Sequence, residues 1–420
     1  MDTARSCYWN AATEILKSLV LSGIRAFCIV DDAIVTRPDL GNNFFLEKDD
    51  IGKPRADAAL RLLQELNPRV QGSRFLSSPC SADPSFLETI SSFSVVVATN
   101  MNESKAIPIS AYLYSHGVPF VNTRVYGFIG YIRICVLEHH IANTHQENPF
   151  PNLRLDRPFE GLRRLVDSID ITAMTDEEVK HTPYVLLYLI ALKLFRKAAD
   201  NDTAFPESYA ARKQFLTFVM SLKRENDKDH LDENFEQAKN ALSRSVLRTQ
   251  IPPDVSALLS DAKCQESSSN VLPFWIICTA LRRFVEKHGV LPLPGNLPDM
   301  ASDSKSYTRL LGVYHEKAVE DANEVYESTR EIEAARSGTA HISYDMCARF
   351  CKNASFIGLQ RGSTLESQRD AFQSVLEDIA NEEGDSARDG EASLAVWFLL
   401  LRAADRFDDE KSRGAHFGIP

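Results

Sequence analysis

The sequence predicts an α/β domain built on a largely parallel sheet, followed by a mainly α-helical domain. Two patterns carry this. Up to about Pro149, short β-branched or aromatic runs alternate with helix-like segments; beyond it, helical periodicity dominates. A third observation bears on use: the opening CYWNAATEILKSLVLSGIRAFCIVDD has the strand–turn–helix–strand order of a nucleotide-binding βαβ unit. Its turn, Asn10-Ala11-Ala12-Thr13-Glu14, holds no glycine.

After the first strand, which starts at Cys7, strands are expected at Arg25–Val30, Gln71–Leu76, Ser94–Thr99, Pro119–Val121 and Gly130–Leu137. Helices fit between them at Thr13–Leu21, Lys53–Leu66, Pro84–Ser91 and Ser104–Ser115. Short alternating connections imply parallel strands with helices on both faces. The predicted division is residues 1–150 and 151–420. In the second block the clearest element is Ser306–Arg330, where Tyr307, Leu311, Tyr314, Ala318, Ala322 and Val325 recur at three- and four-residue steps. That stripe suits either packing on its own domain or contact with another subunit. Polar or proline-rich stretches such as KRENDKDHLDENFEQ, LPLPGNLPDMASDSK and NEEGDSARDGEAS interrupt the helices, and no repeat is visible.

Hydrophobic content of 44% with 25% charged residues is ordinary for a globular protein. A formal net charge of −11 argues against general binding to nucleic acid or anionic membranes and leaves protein partners open. The apolar run YVLLYLIALKLF (Tyr184–Phe195) falls short of the ~20 residues that span a bilayer and reads as a buried helix. No secretory signal pattern opens the sequence, so a soluble protein of the cytoplasm and nucleus is expected. None of the eight cysteines forms a CxxC pair; Cys28, Cys135 and Cys278 lie in apolar runs, as reduced core thiols do.

A glycine-rich turn lets backbone amides approach phosphates at a helix N-terminus. Here Asn10, Thr13 and Glu14 would fill that space, and a carboxylate would repel a phosphate. Asp31 or Asp32 could still bond a ribose. The missing GxGxxG turn weighs against an alternative reading as a nicotinamide-dependent oxidoreductase. Cys351, in ARFCKNASF, has Arg349 and Lys352 nearby to favour a thiolate, but Phe350, Ala354 and Phe356 pattern it as a core position. His139 and His140 end a strand, where they could hold a metal or simply be solvated.

A collinear series of segments adds a resemblance over nearly the whole chain: TEILKSLVLSGI, GNNFFL, IGKPRADAALRLLQELN, VVVATNMNES, YGFIGYIRI, LRLDRPF, HTPYVLLY, TQIPPDV, PFWIICTALRRFV, VYHEKA, FCKNASF and LLLRAADRF. It resembles the regulatory subunits of the heterodimeric enzyme that activates the ubiquitin-like modifier of cullins, in protein neddylation. The resemblance implies a Rossmann-like, ThiF-type adenylation domain without a working nucleotide site. In that superfamily, ATP chemistry uses a glycine loop, an arginine, a lysine at a helix start and a magnesium-binding aspartate. The resemblance places Asn10–Glu14, Asn42, Lys53 and Asn100 there, so only the lysine is kept, as a local cap or pair. Adenylyl transfer needs cationic clamps on the phosphates, and two are lost.

The resemblance further implies that this chain binds no cofactor or metal and carries no catalytic cysteine. ATP and magnesium would sit in a catalytic partner subunit, which adenylates the modifier and forms the thioester. This chain would contribute a scaffold and about half of the helical domain around the partner's cysteine. The partner interface is expected at Tyr307, Leu311, Tyr314, Lys317 and Ala318, with Tyr314 as anchor. Against the family the chain is short at both ends. Arg5 does not fall where the family's N-terminal arginine lies, and strands that would return to complete the first sheet are not found after RAADRF. An apolar sheet edge is therefore expected to lie open. The alternative is a truncated interaction protein that binds the catalytic subunit without supporting activity.

Overall fold

A computed structural model of the chain describes residues 10–78, 83–126, 129–144, 152–223, 232–244, 248–265, 272–336, 341–370 and 394–411. The chain divides into two units: residues 1–139 with 360–420, and residues 140–359. This differs from two consecutive blocks meeting at residue 150, because residues 360–420 belong with the first unit. Arg5, the strand expected at Cys7 and the stretch NEEGDSARDGEAS lie outside the described residues.

The first unit begins with α1 (Asn10–Leu21), β1 (Ala26–Val30), α2 (Arg37–Asn42), α3 (Arg55–Leu66), β2 (Gln71–Phe75) and α4 (Pro84–Ser91). It continues with β3 (Val96–Thr99), α5 (Glu103–Ser115), β4 (Phe120–Tyr126) and β5 (Ile129–Cys135). Residues 10–14 are thus helix and not a turn. Ala11, Ala12 and Glu14 have high to ordinary helix propensity, and no glycine interrupts them.

β1 runs parallel to β2, with Ala26 opposite Gln71 and Val30 opposite Phe75. β3 runs parallel to β4, while β4 is antiparallel to β5 from Phe120–Cys135 to Tyr126–Ile129. The sheet of β3, β4 and β5 is therefore mixed. Two residues between β4 and β5 are too few for a parallel crossover, so these strands pair antiparallel. At Gly72 an added Cβ would lie 2.5 Å from Leu60 Cδ1 and 2.8 Å from Phe27 Cζ, so α3 approaches β2 over a residue that must lack a side chain. Along β5, Arg133 and Cys135 are buried while Ile132 and Ile134 are 67% and 56% exposed. This alternation leaves an apolar row on the outer strand of the described sheet.

The second unit opens with α6 (Glu160–Asp167), α7 (Asp176–Lys180), α8 (Tyr184–Ala198), α9 (Tyr209–Met220), α10 (Glu233–Arg244) and α11 (Pro253–Leu259). It ends with α12 (Pro273–His288), α13 (Ser304–Ala335) and α14 (Tyr344–Lys352). Helix α8 is buried on nearly every side, as its continuous apolar sequence requires. Among the described residues no helix is long and apolar enough to cross a membrane. Two short strands, β6 (Glu138–Ala142) and β7 (Ile357–Arg361), pair with each other. Neither EHHIA nor IGLQR alternates strongly enough to announce a strand.

The chain then returns in α15 (Leu365–Asp370) and α16 (Leu394–Lys411). Leu401 and Ala404 of α16 pack with Tyr126. Beside them Asp405 accepts the Tyr126 hydroxyl at 2.7 Å and pairs with Arg124 at 3.0 Å. Arg402 grips both oxygens of Glu103, at 2.5 and 2.7 Å, and Arg133 reaches the same carboxylate at 2.6 Å.

Helix α13 runs from the Asp303 cap, whose carboxylate accepts the Lys305 and Ser306 amides at 2.9 Å. Its stripe packs within its own unit: Leu310 and Tyr314 join the core around α8, and Ala322, Val325 and Ile332 join the core around α12. Tyr314 is fully buried, meets Phe159 edge-to-face at 5.3 Å and donates its hydroxyl to the Leu153 carbonyl at 2.6 Å. The expectation that Tyr314 anchors a partner is corrected, because a side chain enclosed by its own core has no surface to offer. Tyr314→Ala is expected to destabilise this unit by about 3–5 kcal/mol in urea unfolding. Tyr314→Phe, which leaves the Leu153 carbonyl without its donor, should cost about 1–2 kcal/mol.

Candidate functional site

The end of β1 is where a βαβ fold reads a nucleotide, and here it is filled by ion pairs within the chain. Asp31 is buried and accepts Arg55 Nε at 2.9 Å and Nη2 at 3.1 Å, a two-pronged pairing. The same guanidinium lies 3.6 Å from Asp39 Oδ1. Asp39 in turn caps α2, its Oδ2 accepting the Thr36 amide at 2.7 Å. Asp31 is therefore not presented to a ribose, because Arg55 holds both of its oxygens. Asp32 is exposed.

The positions that the resemblance assigns to phosphate and metal are arranged as follows. Within α1, Thr13 is buried and donates to Asn43 Oδ1 at 3.4 Å, while exposed Glu14 pairs with Lys17. Asn10 and Asn42 are helical residues whose side chains lie outside the described atoms. Lys53 pairs with Asp50 at 3.1 Å; the lysine side chain is 56% exposed and the aspartate 2%. Burial alone would raise the Asp50 pKa, but the Glu47 amide, Lys53 and Arg61 outweigh it and hold the carboxyl below its ordinary value. Asn100 has a positive φ of 53°, its amide donates to Thr123 O at 2.7 Å, and its Oδ1 accepts the Val125 amide at 2.9 Å. That carboxamide oxygen serves the backbone of β4.

A magnesium triphosphate needs convergent amides, cations and a free carboxylate. This donor set does not fit it: Asp31 and Asp39 face Arg55, Asp50 faces Lys53 and Arg61, and Asn100, to which the resemblance assigns the metal ligand's place, carries a neutral amide. Arg55 and Asp39 were not singled out in the sequence. The only sign of Arg55 was its place two residues after Lys53, at the start of α3.

The other candidates are set apart from this site. Cys351 is buried in the core around α12, and a hydrogen bond with Cys347, together with burial, pushes its thiol well above the ordinary range. Such a thiol is a poor nucleophile. The His140 ring stacks on Phe274 at 4.2 Å, so it is an aromatic packing residue and not a solvated strand end. Among the described residues no group of three His, Cys, Asp or Glu is placed to hold a metal. Along α13, Tyr307 packs partly against the α8 core, Leu311 and Ala318 are half-buried, and Lys317 pairs with Asp321 at 3.0 Å.

Residues 13–226 match the ThiF family. A NEDD8-activating enzyme E1 regulatory subunit of Caenorhabditis elegans is 46% identical over 408 residues, covering 96% of this chain and 75% of that protein. The chain belongs to the family of NEDD8-activating enzyme E1 regulatory subunits. Members with the same name from Xenopus laevis and Danio rerio are 35% and 36% identical, covering 100% and 98% of this chain and 78% of each relative. In this regulatory-subunit chain the ThiF-type α/β fold is kept while its strand end is closed by aspartate–arginine pairs.

Arg55→Met should destabilise the first unit by about 3–5 kcal/mol in urea, since it leaves two buried carboxylates without their cation. Asp50 sets a pH dependence. Its folded-state pKa lies below the unfolded value of 3.8, so its stabilisation is present above 3.8 and is lost as pH falls through the folded value. Acid unfolding followed by circular dichroism should show this loss in the wild type and a smaller one in Asp50→Asn.

Proposed function

We propose that this chain is the non-catalytic subunit of a heterodimeric NEDD8-activating enzyme and scaffolds a catalytic subunit that carries out adenylation and thioester formation. The carrying observation is the Asp31–Arg55–Asp39 cluster at the end of β1, which occupies the chain's own nucleotide-reading position with internal charge pairs. The regulatory-subunit name of the relatives agrees with that reading. ATP and magnesium belong, on this proposal, to the catalytic partner, and the ubiquitin-like modifier is the shared protein substrate. No nucleic acid or membrane takes part, and the complex works in the cytoplasm and nucleus.

Of the contact positions on α13, Tyr307, Leu311, Lys317 and Ala318 keep some exposure and remain the proposed contact with the catalytic subunit. Any effect of Tyr314 on association would act through the fold of this helix.

Adding the purified chain to the catalytic subunit should raise the rate of ATP-dependent thioester formation. A fall in that rate would favour a chain that merely sequesters its partner. The isolated chain should give no ATP–pyrophosphate exchange and no magnesium-dependent ATP binding by calorimetry, and Asn100→Asp should restore neither. Tight magnesium-dependent ATP binding by the wild-type chain would overturn the proposal.

A further inference from the structure

The second unit contains a cavity of about 640 Å³ whose charge is opposite to that of the chain as a whole. Its walls carry six cationic side chains, Arg154, Arg157, Arg163, Arg196, Arg248 and Lys317, against the four carboxylates of Asp156, Glu160, Asp202 and Asp321. That is a local excess of two positive charges in a chain of formal net charge −11. Phe159, Phe284 and Val290 supply apolar wall between them.

Two of these cations are held unusually. Arg154 is buried, with a positive φ of 52°; its guanidinium donates to Asn152 Oδ1 at 3.1 Å and to the Leu291 carbonyl. Arg196 donates to the carbonyls of Ala204 at 3.1 Å and Asp156 at 2.8 Å. Among the described residues neither guanidinium has a carboxylate within ion-pair distance. Burial pushes both below the ordinary arginine range and outweighs the attraction of the nearby carboxylates, Asp321 and Asp156 for Arg154 and Asp156 and Asp202 for Arg196. Arginine stays protonated under such conditions, so the cavity retains its charge. The neighbouring acids are shared with other groups: Asp156 accepts the Thr249 hydroxyl at 2.6 Å and amide at 3.1 Å and lies 3.4 Å from Arg157, and Asp321 accepts the Leu293 amide at 2.9 Å and pairs with Lys317 at 3.0 Å.

We propose that this cavity receives an acidic peptide segment of a protein partner, with its carboxylates at Arg154 and Arg196 and its apolar side chains against Phe159 and Phe284. The planar guanidinium fork matches a carboxylate with two parallel hydrogen bonds. Apolar wall between the cations suits a peptide that alternates acidic and apolar residues. The four wall carboxylates disfavour a polyphosphate, whose charges are crowded together, more than a peptide that spaces single charges along an extended backbone.

The test uses the full chain and a fluorescein-labelled peptide of alternating Glu with Leu or Phe, followed by fluorescence anisotropy. Binding should weaken at least tenfold in Arg196→Gln and in the rim double variant Arg163→Glu/Arg248→Glu, whose exposed positions leave the fold intact by circular dichroism. It should also weaken with added salt. The proposal is overturned if the wild type does not bind, if a Gln-for-Glu peptide binds as tightly, or if both variants keep wild-type affinity. Displacement of the labelled peptide by pyrophosphate but not by unlabelled peptide would reassign the cavity to phosphate and overturn it equally.

Discussion

The ion cluster of Arg55 between Asp31 and Asp39 is the constraint on which the functional reading of this chain depends. A βαβ unit presents its strand end and helix N-terminus to a nucleotide because backbone amides and an unpaired acid point there. In this chain the acid at the strand end faces a cation from the start of α3, and that cation also meets the aspartate that caps α2. Removing the guanidinium would leave two buried negative charges, so the site cannot be opened by small movements. The ThiF framework persists here as a packed structure whose ligand-facing groups satisfy one another.

A second buried network secures the returning segment of the first unit. Glu103 receives Arg133 and Arg402, while Asp405 receives Arg124, Tyr126 and Tyr131. Each carboxylate is thereby paired and hydrogen-bonded, the condition under which a buried charge is tolerated. Their environments differ: burial raises the Asp405 pKa despite its cations, whereas at Glu103 the two arginines outweigh burial and lower it. This network joins α16 to α5, β4 and β5, with Glu103 and Arg402 lying 299 positions apart in the sequence.

The second unit is organised around two buried helices, α8 and α12, and α13 serves both cores along one stripe. The three- and four-residue spacing of Tyr307, Leu311 and Tyr314 announced an apolar face without saying what it covers. Tyr314 resolves that ambiguity: a ring enclosed on all sides, with its hydroxyl on the Leu153 carbonyl, is structural. Exposed apolar side chains include Val319 on the same helix and Ile132 and Ile134 on β5.

The sequence by itself determined the alternation of strands and helices in the first block, the α/β-then-helical class and the lack of any glycine between Cys7 and Gly23. Those properties are local, set by side-chain periodicity and by which residue types stand at a turn. Only the tertiary structure decided that Asn10–Glu14 is helix, that β5 reverses direction, that residues 360–420 rejoin the first unit, and that Arg55 belongs to Asp31. Such pairings link residues 24 or, for Arg402 and Glu103, 299 positions apart. No periodicity spans that separation; the partner of a buried charge is selected by where the packed backbone brings it.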